Sequence, residues 1–149
     1  MKIDEGMSNT LKEYFGYTNE ELQILLQNPR NQEVLSKSLM LLNRTIVIEV
    51  VCSHGCTAQH KVGDRFYFNG IGQLLTKYGP KKICIYALSA LEHLIFAANE
   101  LYFAGVDPNE MRFNRADCTA DVGLKCGGWG KIVMEIKVED KKKIKMEDK

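Results

Sequence analysis

Charge of one sign is missing from this sequence: 20 Lys and Arg face 19 Asp and Glu, leaving a formal net charge of +1. So balanced a chain has no electrostatic basis for holding DNA, RNA or an anionic membrane, and no basic face with interleaved aromatics is evident. Neither nucleic acid nor membrane is therefore an expected partner. The Walker A loop, the dinucleotide glycine fingerprint, Gly-x-Ser-x-Gly and His-Glu-x-x-His are all absent. Cys-x-x-Cys, as zinc ribbon or redox motif, is absent too, because three residues separate Cys52 from Cys56. The opening Met-Lys-Ile-Asp-Glu-Gly-Met lacks the apolar segment of a secretory signal, so a cytoplasmic protein is expected. In that compartment five cysteines, an odd number, read as reduced thiols or ligands rather than a disulfide framework.

No apolar run long enough to span a membrane is free of charge. The best candidate, residues 83–103, contains Glu92, His93, Asn99 and Glu100, which would be costly in a bilayer. With Ser89 these fall at roughly helical spacing, so the stretch reads as a buried helix with a narrow polar stripe. At 149 residues, with 45% hydrophobic and 26% charged side chains, the chain has the size and composition of one globular domain.

The expected fold class is α+β, a small antiparallel sheet packed on the long apolar helix, with an N-terminal helical extension over about residues 8–43. Thr18-Asn-Glu-Glu21 has the pattern of a capping box, predicting a helix to about Gln27. Asn28-Pro29 then starts a second helix, on which Leu35, Leu39 and Leu42 share a face, and a short helix fits residues 10–15. The cysteine-rich core spans 44–139. Thr45–Val51 is β-branched and reads as a strand delivering Cys52 at its end. Residues 65–68 form a second strand, ended by the turn signal Asn69-Gly70. A further short strand is expected around Met111–Phe113. Residues 131–138 alternate, with Ile132, Met134, Ile136 and Val138 on one face. Asp107-Pro-Asn-Glu110 reads as a turn or a new N-cap, and the Lys/Glu-rich tail, 140–149, as solvated, disordered chain.

Chemistry concentrates in three glycine-rich segments. Cys52-Ser-His54-Gly-Cys56 runs on to His60 and Gly63-Asp64; Cys84 heads the apolar helix; and Asp117-Cys118-Thr-Ala-Asp121 leads to Cys126-Gly-Gly-Trp129. Thiols and imidazoles gathered in turns can be aimed at one point, as a metal site requires. Each has a plainer reading. Cys84 serves equally as a small buried hydrophobe, His93 as a member of the polar stripe with a hydrogen-bonded neighbour, and Trp129 as an anchor for the last strand. Asp64 suits a carboxylate that orients His60, or one that caps a turn.

Cys56-x-x-x-His60-Lys61-x-Gly63-Asp64, with Cys84 at a helix start and a later Cys118, resembles a small, largely uncharacterised prokaryotic family. That family shares a Cys-x-x-Gly-His-Lys-x-Gly-Asp core, a central Cys and a late Cys-Pro-Asp-like element. The resemblance spans roughly residues 46–138. This chain departs from it at Gln59, where the family has glycine, at Cys84-Ile-Tyr in place of Cys-Pro-aromatic, and at Cys118-Thr-Ala-Asp121 in place of Cys-Pro-Asp. The resemblance implies a shared site and leaves its activity open. Cys52 and Cys126 look like additions of a longer subgroup.

The leading expectation is a Cys/His metal site held by Cys56, His60, Cys84 and Cys118. Three thiolates and an imidazole suit zinc, whereas a fourth thiolate from Cys52 or Cys126 would suit an iron–sulfur cluster. His54, Cys52 and Cys126 form a second tier of candidates. A metal-free enzyme is the alternative, with Cys56 as nucleophile, His60 as its base and Asp64 orienting the imidazole. The N-terminal helices read first as core packing, and otherwise suit a homo-oligomer or an accessory subunit of a larger enzyme.

Overall fold

The structure is a computed structural model that describes residues 5–118 and 130–141. It contains two compact units divided between Met40 and Leu41. In the first, α1 spans Glu5–Phe15 and α2 spans Asn19–Gln27, while α3 runs from Pro29 to Leu41. The capping box is formed: the Glu21 amide donates to Thr18 Oγ1 at 3.2 Å, and the Thr18 amide donates to Glu21 Oε2 at 2.8 Å. Helix α1 begins at Glu5, earlier than the expected start near Thr10.

The second unit is built on a four-stranded antiparallel sheet of order β2-β1-β4-β3. Its strands are β1 (Arg44–His54), β2 (Arg65–Asn69), β3 (Arg115–Asp117) and β4 (Lys131–Asp140). The fold is thus α+β. Along β4, Ile132, Met134, Ile136 and Val138 are buried, as their alternation requires. With Ile46, Ile48, Val50, Phe66 and Phe68 they form the inner face of the sheet. Helix α4 (Ile85–Phe103) joins this core through Ala87, Ala90, Leu91, Leu94 and Ala98.

Three expectations need correction. Helix α4 is not buried all round: Ile85, Tyr86 and Phe96 are exposed, and Ser89, Glu92, His93 and Glu100 of the polar stripe face solvent. The fourth strand lies at Arg115–Asp117, not at 111–113. A 3-10 turn over Pro108–Glu110, capped by Asp107 accepting from the Asn109 amide, precedes it. Thirdly, β4 continues to Asp140, two residues beyond the expected strand end. Most of the tail lies outside the described residues.

The outer face of the sheet carries a charged row beside the buried Thr45 and Val47. Arg65, Glu49, Glu135 and Arg115 occupy one row across all four strands. Two carboxylates directly opposite each other would repel. Here Arg65 meets Glu49 at 2.9 Å and Arg115 meets Glu135 at 2.8 Å, so each carries its own counter-charge. The hydrogen bond and charge of Glu49 hold the Arg65 guanidinium above its usual pKa.

Further hydrogen bonds run beside β2 and along the stretch of β4 that β3 does not reach. Beside β2, the Leu75 amide donates to the Tyr67 carbonyl at 2.7 Å, and the Asn69 amide to the Gln73 carbonyl at 2.9 Å. Beside β4, past the end of β3, the Asn109 side-chain amide both donates to and accepts from the Val138 backbone at 2.9 Å. The Ile136 amide donates to the Asn114 carbonyl at 2.9 Å.

Candidate metal centre

The segment after β1 is two consecutive tight turns. The Cys56 carbonyl accepts from the Gln59 amide at 2.9 Å, and the Lys61 carbonyl from the Asp64 amide at 3.0 Å. Gly63, third in the second turn, has φ +93, which a type II turn demands and a side chain resists. The segment is tied back to β1 where that strand is irregular. The Gly63 amide donates to the Val50 carbonyl at 2.9 Å, and the Val50 amide to the Asp64 carbonyl at 2.8 Å. Ser53 Oγ donates to the His60 carbonyl at 2.6 Å.

These ties deliver His60 inward. Its side chain is 3% exposed, and its ring stands edge-on to Phe66 with centroids 5.1 Å apart. Asp64 Oδ2 lies 3.7 Å from His60 Nδ1, too far for a hydrogen bond but near enough to favour the tautomer carrying its proton there. The same carboxylate oxygen accepts from the Lys61 amide at 3.0 Å, so Asp64 closes the turn and faces the imidazole at once. His60 Nε2 is buried, with no hydrogen-bond partner among the described residues. An orphaned polar atom of this kind costs about 1–3 kcal/mol, and calls for an explanation.

The backbone of Gln59 is left-handed, with φ +62. Glycine is the residue that adopts such a φ without strain. Gln59→Gly should therefore be neutral or stabilising by up to about 1 kcal/mol, the relieved strain outweighing the added freedom of the unfolded chain. Gln59→Val should destabilise by about 1–2 kcal/mol. Urea melts of the two variants give the comparison.

Register decides which sulfurs share the site. Between Val50 and Cys52 the pairing with β4 slips by one: Val50 opposes Met134, whereas Cys52 opposes Val133. Val51 is the extra residue of a β-bulge. Without it Cys52 would follow Ile46, Ile48 and Val50 onto the inner face. With it, Cys52 and His54 pair with Val133 and Lys131 on the outer face, and both are exposed. Cys52 is thus inside β1, not at its end as expected, and turned away from the core. Ser53 opposes Ile132 instead and points inward to His60.

Cys118 sits at the end of β3 in the same row. Its amide donates to the Ile132 carbonyl at 3.1 Å, and its Sγ accepts from the Ile132 amide at 3.4 Å. Cys118 is buried, and Cys56 and Cys84 pack against the same core cluster. Cys84 is the N-cap of α4 and makes no side-chain cap hydrogen bond. Among the described residues no three His, Cys, Asp or Glu side chains stand together as a group able to hold a metal ion. The fold therefore brings the four expected donors to one core without joining them as a ready ligand set. Asp121, Cys126 and Trp129 lie outside the described residues.

Gly130 fixes the entry to β4. A Cβ there would collide with the His54 carbonyl and the Gly55 backbone, so the start of β4 lies directly on the chain that leads to Cys56. Sequence reasoning missed Ser53, Phe66 and the bulged Val51 as shapers of the site. A hydroxyl between Cys52 and His54 was the one available signal. Comparisons with models of protein families, with curated proteins and with solved structures find no match.

Proposed function

We propose that this protein binds a metal centre, a zinc ion or an iron–sulfur cluster, through Cys56, His60, Cys84 and Cys118. The observation that supports it is the His60 imidazole: buried, carboxylate on the Nδ1 side, and Nε2 without a partner among the described residues. A metal-ligating histidine has this environment, because a carboxylate behind the ring fixes the tautomer and leaves the other nitrogen's lone pair for the metal. Closing the site requires the donors to draw together from a turn, a helix cap and a strand end, which couples metal binding to folding. Elemental analysis of anaerobically purified protein tests the reading. One zinc per chain, or iron with equivalent sulfide, is expected, with loss of the metal in His60→Ala; metal-free protein after supplementation with both metals overturns it.

A second reading has its own observation. Cys56, His60 and Asp64 belong to one tightly tied segment, and the donors are not gathered as a ligand set. In this reading Cys56 is a nucleophile and His60 its base. A single hyper-reactive thiol at Cys56, in protein proven metal-free, favours it over the first. The exposed Ile85, Tyr86 and Phe96 of α4 suit an accessory subunit, for which co-purification of a stoichiometric partner is the test.

A further inference from the structure

We infer that the exposed face of α4 is where a second copy of this chain docks, helix against helix and antiparallel, in a weak two-fold dimer. Such a dimer needs no metal in either copy. Spacing along the helix is the first ground. Ile85, Ser89, Glu92 and Phe96 fall at intervals of four, three and four, the period of a coiled-coil seam, and all are exposed. Ile85 is 68% exposed and Phe96 66%, with Tyr86 at 54% beside them. Helix α4 buries its other side, through residues such as Leu91 and Leu94, so the seam points away from its own sheet. A turn lies alongside. A Cβ added at Gly72 would sit 3.3 Å from Ile95 Cγ2, which brings the exposed Ile71 up to the same helix.

Charge is the second ground, and it selects the occupant. Lys81 and Lys82 are exposed just before the N-terminal end of the seam, whereas Glu92 and Glu100 are exposed toward its C-terminal end. The helix macrodipole runs in the same sense, positive at the first end and negative at the second. This face is therefore complementary to a reversed copy of itself, while a parallel copy would set like charge against like. A two-fold axis supplies the reversal, because residue i then contacts j and j contacts i. In the antiparallel register that pairs the seam positions, Ile85 packs on Phe96 of the second copy. Ser89 stands opposite Glu92, its hydroxyl donating to the carboxylate, and Lys81 falls opposite Glu100. A net charge of +1 leaves little to hold the copies apart. Two helices of 19 residues in contact cover about 1,000 Å² in all, the low end for a specific interface, so the dimer dissociates readily, with a Kd on the order of 10–100 μM.

Sedimentation equilibrium of the full-length chain, kept reduced so that the exposed Cys52 cannot link copies, should show monomer and dimer exchanging over about 1–500 μM. Phe96→Asp should weaken the dimer by about tenfold or more, because it sets a carboxylate against Ile85 of the second copy. Position 96 is exposed, so this variant should keep the circular dichroism of the wild type. Glu100→Lys alone, or Lys81→Glu with Lys82→Glu, should weaken the dimer by about 2–5-fold, and all three changes together should restore it. A parallel pair would show no such rescue. Benzoylphenylalanine in place of Phe96 should crosslink near Ile85 of an isotopically labelled second copy. A chain still monomeric at about 500 μM, a dimer indifferent to Phe96→Asp, no rescue in the triple variant, or crosslinks that land within the same chain or on a different protein would each overturn the inference.

Discussion

Gly130→Val should destabilise the second unit by about 3 kcal/mol or more, the upper end of what overpacking costs. The obstruction is backbone on both sides: an added Cβ would overlap the His54 carbonyl and the Gly55 main chain, and neither can move as a side-chain tip would. Relief requires separating β1 from the start of β4, where His54 opposes Lys131 and Ser53 opposes Ile132. The same movement frees Ser53 from the His60 carbonyl, so site geometry and stability should fail together. Native stability of a domain is only about 5–15 kcal/mol, and a loss of this size will be plain in a denaturant melt. An unchanged midpoint would mean that β4 does not enter the sheet against His54 and Gly55.

Cys118→Ser carries the other large effect. The side chain is buried and its sulfur accepts from the Ile132 amide, a bond that serine can replace. In metal-free protein the substitution should therefore cost little, about 1 kcal/mol from imperfect packing of the smaller hydroxyl. In metal-loaded protein it should remove metal and stability together. A ligand present at one hundred times its dissociation constant adds about 2.7 kcal/mol to the folded state, and this is what the variant forgoes. Chelation of the wild type should bring its melting curve down to within about 1 kcal/mol of the variant's, the packing difference alone. Full metal content and an unchanged curve in Cys118→Ser would refute the ligand assignment.

Much of the fold could be read from local pattern. The strict alternation of 131–138 needs only the period of a strand, and the Thr18–Glu21 capping box needs only four residues. Helix α4 was legible as a helix, but its exposure was not. Packing through Ala87, Ala90 and Ala98 buries a narrow strip, leaving Tyr86 and Phe96 to solvent despite their apolarity. The strand expected at 111–113 failed because Asn109 satisfies the Val138 backbone with its own side chain, and pairing begins only at Arg115. The site was legible as a set of residue types and illegible as a set of positions. Apart from Glu49, Thr45–Val51 is β-branched, so nothing in it marks Val51 as the extra residue that sends Cys52 and His54 outward. A bulge is set by the partner strand and by the ties from Gly63 and Asp64 to Val50, all of them remote in sequence.

The hydrogen bonds beside β2 and along the end of β4 bear on how the protein behaves in crowded solution. With a net charge of +1 the chain has almost no self-repulsion to keep copies apart. Unpaired strand edges would then be a hazard, since each templates another chain. Beside β2 the main-chain groups of Tyr67 and Asn69 are already spent on Leu75 and Gln73, and beside β4 Val138 is spent on Asn109. Protection of this kind comes from hydrogen bonds within the fold rather than from charge. Salt, which abolishes electrostatic repulsion beyond about 10 Å at 0.1 M, should leave it intact. Colloidal stability of the folded protein should accordingly change little between low and high ionic strength, whereas Asn109→Ala, which bares the Val138 edge, should aggregate faster at both.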